Sequence, residues 1–156
     1  MKTSIESLLK ALGALCPAGY AIGLHIRFTS PSYLLQTYPE AWNEAYSARG
    51  LVMLDPAVAW GLSNVGAQRW SGLAGEDRGG VLTLAAEHGL RYGAAVAAFS
   101  AGSRSVAGFA RGDREFADDE LEQLVEAHTD LHDRTADETR ISDADRAALR
   151  RHSERG

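Results

Sequence analysis

The sequence predicts an α+β fold, an α/β/α sandwich in which helices flank a central antiparallel sheet of about five strands. Two pairs of short strands are predicted, residues 21–28 with 33–37 and residues 93–99 with 105–111. Because strands joined by such short turns pair as hairpins, they form an antiparallel sheet. Amphipathic helices precede, separate and follow the hairpins, and their apolar faces need a sheet to cover.

The size and charge of the chain limit its class. Its 156 residues fit one domain, 45% of them are hydrophobic, and the formal net charge is −5. A negative chain without a basic stripe does not favour direct nucleic-acid binding. The single cysteine, Cys16, cannot form an internal disulfide, and no apolar run approaches the roughly 20 residues that span a bilayer. We therefore expect a cytoplasmic protein with no membrane contact and no cofactor.

The strands follow from side-chain alternation and from turn residues. Apolar side chains from Ile22 to Phe28 alternate with small or polar ones, and residues 29–32 form the turn. The second hairpin is rich in Ala and Val and turns at residues 101–103. Residues 68–70 and residues 51–54 are also expected to be extended.

The helices follow from caps and from 3.6-residue periodicity. Capping-box spacing at Thr3 and Glu6 predicts a first helix, and the same spacing at Thr37 and Glu40 predicts a second one that ends near residue 49. Asp55 followed by Pro56 predicts the start of a third. Further helices are predicted at residues 79–88, 117–133 and 141–152.

Three aromatic residues of the second helix, Tyr38, Trp42 and Tyr46, share one face because they are spaced four apart. Core packing explains this spacing when it is considered alone. However, a buried tyrosine hydroxyl or indole N–H needs a hydrogen-bond partner, and three polar tips along one face suit a pocket that holds acceptors.

Asp55 and Trp70 also allow two interpretations. Asp55 serves as a helix cap, but between Leu54 and Pro56 it is also a candidate buried carboxylate, which would need a donor such as a ligand amide. Trp70 lies between the polar residues Arg69 and Ser71 and is either an edge packing residue or part of the same pocket.

The joint spacing of these residues resembles the autoinducer-binding domain of the LuxR family of quorum-sensing regulators. The pattern is Y-P-x-x-W-x-x-x-Y, then Asp-Pro nine residues after the second tyrosine, then a tryptophan fifteen residues after the aspartate, formed here by Tyr38, Pro39, Trp42, Tyr46, Asp55, Pro56 and Trp70. The resemblance extends over most of residues 1–134, and Gly93 sits where the family has a glycine.

The resemblance implies an N-acyl-homoserine lactone as the ligand. Trp42 would donate to the lactone carbonyl, Asp55 would accept the ligand amide N–H, and Tyr38 would bond the acyl carbonyl. Tyr46 and Trp70 would pack on the acyl chain and the lactone ring. The chain departs from the family at Leu51, where an aromatic is common, at Gly108, where a serine or threonine is common, and at the bulky Trp60.

The C-terminal part predicts a domain boundary. Residues 1–134 form the ligand-binding domain, residues 135–140 a linker, and residues 141–156 a helix that resembles the first helix of a helix-turn-helix, with Ser142 and Asp145 at near-capping-box spacing. A recognition helix does not follow, so we expect no DNA binding by this chain alone.

Three functions are weighed. The first is a lactone-binding sensor that forms a homodimer, or a heterodimer with a LuxR-type regulator. The second is an interaction partner or anti-activator that binds no lactone and dimerises with a full-length regulator. An enzyme is the least favoured, because the histidines show no metal-ligand spacing; His128 is predicted to be a satisfied core residue and His132 to be solvated.

Overall fold

The computed structural model describes residues 3–27 and 30–153, which fold around one five-stranded antiparallel sheet with strand order β2-β1-β5-β4-β3. This confirms the predicted α+β sandwich. The strands are β1 (Gly19–Arg27), β2 (Ser30–Gln36), β3 (Gly66–Arg69), β4 (Tyr92–Ser100) and β5 (Ser103–Arg111). The helices are α1 (Ile5–Leu15), α2 (Glu40–Ala48), α3 (Pro56–Ser63), α4 (Val81–Glu87), α5 (Asp118–Arg134) and α6 (Asp143–Ser153).

Both predicted hairpins form, but residues 30–32, which were predicted to be turn, belong to β2 because they continue the pairing with β1. β1 pairs with β2, and β4 pairs with β5 from Tyr92–Arg111 to Ser100–Ser103. Ala101 and Gly102, in the turn of the second hairpin, both have positive φ, 52° and 75°, as a tight two-residue hairpin turn requires. The centre of the sheet is the antiparallel pairing of β1 with β5. Phe28 and Thr29, predicted to end the first strand and begin its turn, lie outside the described residues.

Each face of the sheet carries its own apolar cluster. On one face, α1, α5 and α6 cover side chains that include Tyr20, Ile22, Val96 and Phe109. On the other face, α2, α3 and α4 cover a second cluster, which we call the aromatic face: Trp42, Leu51, Ala57, Trp70, Leu73, Val81, Ala85, Leu90, Ala95 and Ala110. Because side chains alternate along a strand, neighbouring residues of β4 and β5 contribute to opposite clusters.

The C-terminal helix packs on the domain. Ala148 and Leu149 of α6 are buried with α1, and the Asp145 carboxylate accepts the backbone N–H of Ile5 at 3.0 Å. Ser142 accepts the N–H of Asp145 at 3.1 Å, as its cap spacing predicts. The assignment of residues 141–156 to a separate unit stays a prediction, and residues 154–156 lie outside the described part. Within residues 3–27 and 30–153, every helix is too short or too polar to cross a bilayer.

Three local predictions are wrong for tertiary reasons. Residues 51–54 are not extended, because Leu51 is drawn into the aromatic face by a 3₁₀ turn over Leu51–Met53. Thr37 does not cap α2, since its hydroxyl accepts the N–H of Tyr20 across the first hairpin at 3.0 Å. The cap of α1 is Ser4 rather than Thr3, and it accepts the N–H of Ser7.

Histidines form a buried polar cluster between β1, β5 and α5. His25 and His132 stack at 4.4 Å, and the Ser105 hydroxyl lies 2.6 Å from Nδ1 of His132. His132 is only 1% exposed, so its predicted solvation is wrong. The strand irregularity between Gly23 and Ile26, where His25 has φ 51°, turns the His25 ring into this cluster.

His128 is buried without a partner for either ring nitrogen among the described residues, so its predicted satisfaction is also wrong. Burial, followed by the nearby His132 and His25, lowers the pKa of His128 to about 3. In the unfolded chain the ring takes up a proton near its ordinary pKa. Between these two pKa values the unfolded state binds more protons, so acid destabilises the fold.

We predict that His128→Leu reduces the loss of stability in acid. The wild-type free energy of unfolding should fall by about 1.4 kcal/mol per pH unit from this ring alone as the pH drops below about 6. Leucine has no proton to bind and leaves no polar nitrogen unpaired. Urea unfolding between pH 7.5 and 4.5 measures the difference, and identical pH slopes for the two proteins would refute this role of His128.

Candidate ligand-binding site

The five candidate residues converge on the aromatic face. Trp42 and Trp70 are 4% and 8% exposed members of the apolar cluster, and Tyr38 and Tyr46 pack against it. Asp55 lies at the start of α3, which covers the same face. Residues drawn from three separate segments therefore line one region between the sheet and its helical cover.

The aromatic side chains come from α2 and from the segment before it. Tyr38 precedes the helix, which starts at Glu40, so only Trp42 and Tyr46 belong to α2 itself. The Trp42 and Tyr46 rings are 5.6 Å apart and inclined by 60°. The His88 ring, at the end of α4, has its centroid 5.4 Å from that of Trp42. Trp42 thus contacts two rings, one from its own helix and one from the end of α4.

Asp55 caps α3 as the sequence predicts. Its Oδ1 accepts the N–H of Ala57 at 2.9 Å, and its Oδ2 accepts the hydroxyl of Tyr46 at 2.8 Å. Burial raises the pKa of Asp55 above its usual range, while these two hydrogen bonds oppose that rise. The carboxylate therefore stands in a desolvated region with two donors, and carboxylate oxygens have further lone pairs for a third.

The polar tips of three aromatic side chains lack partners among residues 3–27 and 30–153. The buried indole N–H of Trp70 is unpaired. The Tyr38 hydroxyl makes no hydrogen bond within these residues; only its backbone carbonyl accepts one, from the Asn43 side chain. The Trp42 indole makes ring contacts only. Burial raises the pKa of Tyr38, so its hydroxyl keeps its proton and stays a donor. An unpaired buried donor is costly, so the Trp70 indole N–H favours a polar guest on this face.

Two glycines let the aromatic rings lie against the sheet. A Cβ at Gly93 would stand 2.2–2.4 Å from the Trp70 indole, so the ring lies directly on β4. A Cβ at Gly108 would stand 2.8 Å from the Tyr38 hydroxyl oxygen. At the position where the resemblance implies a serine or threonine, the Tyr38 hydroxyl occupies the space that a side chain would need.

Sequence reasoning missed two contacts in this site. The Tyr46 hydroxyl bonds Asp55, whereas the resemblance implied only packing for Tyr46. The sequence offered two signals for this bond, the nine-residue spacing between Tyr46 and Asp55 and the tyrosine hydroxyl. The bond was missed because residues 51–54 were predicted to be extended, whereas a 3₁₀ turn over Leu51–Met53 brings the two side chains together. The His88 contact with Trp42 joins two helices distant in sequence, and no local pattern signals it. Among the described residues, no group of three or more metal-ligating side chains is found.

We predict that Gly93→Ala lowers the free energy of unfolding by about 1–3 kcal/mol, because the new methyl group displaces Trp70. Gly13→Ala is the matched control: no atom lies within 4 Å of its added Cβ in α1. That control should gain about 0.5–1 kcal/mol from helix propensity. Urea unfolding followed by tryptophan fluorescence measures both, and equal effects of the two substitutions would refute the close packing of Trp70.

The fold is shared with solved structures of bacterial regulators. SdiA in complex with octanoyl-rac-glycerol matches with a TM-score of 0.63 and 22% identity over 91% of this chain and 64% of that chain. The transcription factor CepR2 of Burkholderia cenocepacia, described as N-acylhomoserine lactone dependent and of the LuxR family, matches with a TM-score of 0.64 and 22% identity over 87% and 84%. Residues 1–171 of Escherichia coli SdiA match with a TM-score of 0.62 and 21% identity over 84% and 85%. The chain thus spans less than two thirds of the longer SdiA chain.

A sequence-family model identifies the chain more directly. The model of the autoinducer binding domain matches residues 17–136, which include all five candidate residues. No curated protein matches the sequence significantly. Because the family model covers most of the chain, the protein belongs to the autoinducer binding domain family.

Proposed function

We propose that this protein is the sensor domain of a LuxR-type regulator and binds an N-acyl-homoserine lactone between the sheet and helices α2 and α3. The observation that carries the proposal is the Asp55 carboxylate held by the Tyr46 hydroxyl, together with the buried, unpaired indole N–H of Trp70 on the same face. Such a lactone has two carbonyl acceptors and one amide donor near its head group. It therefore offers the complement of what the site leaves unsatisfied.

The head group of the ligand has a defined set of partners in this proposal. Trp42 donates its indole N–H to the lactone carbonyl, and Tyr38 donates its hydroxyl to the acyl carbonyl. Asp55 accepts the amide N–H. Each neutral hydrogen bond contributes about 0.5–1.5 kcal/mol, and the bond to the ionised carboxylate about 1.5–3 kcal/mol.

Tyr46 supports the site indirectly. Its hydroxyl donates to Oδ2 of Asp55, which holds the carboxylate in one orientation and favours its ionised form. The remaining lone pairs of Asp55 then face a fixed direction. In this proposal Tyr46 positions the acceptor as well as packing beside Trp42.

Two solved relatives of this fold carry compatible descriptions. One is described as dependent on N-acylhomoserine lactone, and another is in complex with octanoyl-rac-glycerol, a molecule that joins an acyl chain to a polar head. Those statements concern those proteins. They support an acylated small molecule as the class of ligand for this site.

The same proposal includes no DNA binding by these 156 residues. The formal net charge of −5 supports this, and two arginines of α6, Arg146 and Arg151, are paired with Glu138 and Glu6. A cytoplasmic location and a dimeric state, with itself or with a full-length regulator, stay predictions.

We predict that Asp55→Asn abolishes the stabilisation by lactone and leaves the protein folded. Asparagine caps a helix about as well as aspartate, but it is neutral and places an amide group toward Tyr46 and the ligand N–H. For the wild type, a lactone at 100 times its dissociation constant should add about 2.7 kcal/mol of stability. Thermal unfolding with a panel of lactones of different acyl length measures this.

Ser142→Ala is the control for a general loss of stability. It removes the cap of α6 on the opposite face of the sheet, where Ser142 accepts the N–H of Asp145. It should lower the melting temperature and leave the lactone response intact. The proposal fails if no lactone stabilises the wild type, or if Asp55→Asn responds like Ser142→Ala.

A further inference from the structure

Helix α2 carries two of the five candidate residues, but few side-chain interactions tie it to the rest of the domain. Trp42 is its one buried residue. Among the described residues no ion pair involves α2, and its side chains make one hydrogen bond to a neighbouring helix, from Tyr46 to the α3 cap Asp55. The orientation of the Trp42 indole therefore depends on a small number of contacts.

Within the described part of the chain, one ring contact links Trp42 to another element. The Tyr46 ring, 5.6 Å away, belongs to α2 itself and moves with it. The His88 ring at the end of α4 has its centroid 5.4 Å from that of Trp42 and is inclined by 55°, which is a favourable geometry for two aromatic rings. Of these two rings, only that of His88 can fix the indole relative to the sheet.

The His88 ring is itself held in one orientation. Its Nδ1 lies 3.0 Å from the carbonyl oxygen of Leu84, one turn earlier in α4. Because a carbonyl oxygen only accepts, Nδ1 carries the proton, and the free lone pair of the neutral ring is on Nε2. This bond restrains rotation of the ring, so its contact with Trp42 has a defined geometry.

Helix α4 gives the His88 ring a firm support. Val81 and Ala85 are buried in the aromatic face. At the start of the helix, the Asp77 carboxylate accepts the N–H groups of Val81 and Leu82 at 2.8 and 2.9 Å. A helix that is capped at its start and buried along one side keeps the residue at its end in place.

We propose that His88 is a positioning residue of the ligand site: its ring holds the Trp42 indole in the orientation in which the indole N–H meets the lactone carbonyl. This inference rests on the proposed function, since it assumes that a lactone head group occupies the site. His88 acts through Trp42 and does not itself contact the ligand. The contact uses the ring, so another aromatic residue can replace His88, whereas a polar residue without a ring cannot.

The test begins with butanoyl-, octanoyl- and dodecanoyl-homoserine lactone, titrated into the purified 156-residue protein by calorimetry, and continues with the one that binds most tightly. His88→Ala should weaken its binding about two- to tenfold, which is the contribution of one aromatic pair. His88→Phe keeps a ring beside Trp42 and should bind within about twofold of the wild type. His88→Gln should bind like His88→Ala.

A second ligand separates positioning from a general loosening of the site. The amide formed from the same fatty acid and aminotetrahydrofuran keeps the acyl chain and the amide but lacks the lactone carbonyl that Trp42 would meet. His88→Ala should therefore leave the dissociation constant of this amide unchanged. Equal weakening of both ligands overturns the positioning role, because a loosened site would lose affinity for both.

His152→Ala is the matched control variant. His152 also lies in the last turn of a helix, but that helix is α6, on the other side of the sheet, and its Nε2 lies 2.9 Å from the Glu6 carboxylate. Its substitution should leave the dissociation constants of both ligands as they are in the wild type.

Fluorine NMR of protein labelled with fluorotryptophan measures the ring contact without a ligand. The chain has three tryptophans, and the signal of Trp42 is assigned with Trp42→Phe. That signal should shift in His88→Ala and keep its position in His152→Ala. An unchanged Trp42 signal in His88→Ala overturns the proposed positioning, whatever the result with lactones.

The outcomes separate the two proposals. If His88→Ala binds the lactone as tightly as the wild type, or if His88→Phe binds it as weakly as His88→Ala, the positioning role is overturned and the proposed function stands. Failure of every lactone to bind the wild type overturns the proposed function, and the role of His88 in ligand binding with it.

Discussion

A partly buried carboxylate at the start of α3 constrains the aromatic face. Asp55 both caps the helix and accepts from Tyr46, and these two requirements fix the relative positions of α2, the turn over Leu51–Met53 and α3. Burying a carboxylate is unfavourable unless donors surround it. In this structure the Tyr46 hydroxyl and the Ala57 N–H do so, and the indole N–H of Trp70 is buried on the same face without a partner among the described residues.

Small residues determine how close the cover lies to the sheet. Gly93 lets the Trp70 ring lie flat on β4, and Gly61 lets α3 contact Val106. At Gly108 the Tyr38 hydroxyl fills the space that a side chain would occupy. The absence of a side chain at a glycine thus permits a close contact at three places, with different effects. At Gly93 and Gly108 it brings aromatic side chains against the sheet, and at Gly61 it brings α3 against β5.

Much of the fold was predictable because its signals are local. Side-chain alternation predicted both hairpins, and Asp55 followed by Pro56 predicted the start of α3, which the structure confirms. The site residues were suggested by joint spacing, and the structure brings all five to one face. That spacing could not predict the hydrogen bond from Tyr46 to Asp55. The bond depends on a 3₁₀ turn, and the turn forms because Leu51 is buried.

Other features depend on contacts between distant segments and carry no local signal. The Gly61–Val106 contact joins a helix to a strand, and neither residue is unusual in its own element. His132 looked solvated near the end of an amphipathic helix, yet it is buried because a strand irregularity turns His25 toward it. Such pairings are fixed by the packing of the whole domain, and sequence periodicity does not encode them.

The central claim is that this face completes its hydrogen bonds with an acyl-homoserine lactone. The most direct measurement is mass spectrometry of small molecules extracted from protein that was produced in the presence of mixed lactones. The account predicts one lactone per protein chain in the wild-type extract and none in the extract of Asp55→Asn. A wild-type extract that contains no lactone, or the same amount in both proteins, would contradict it.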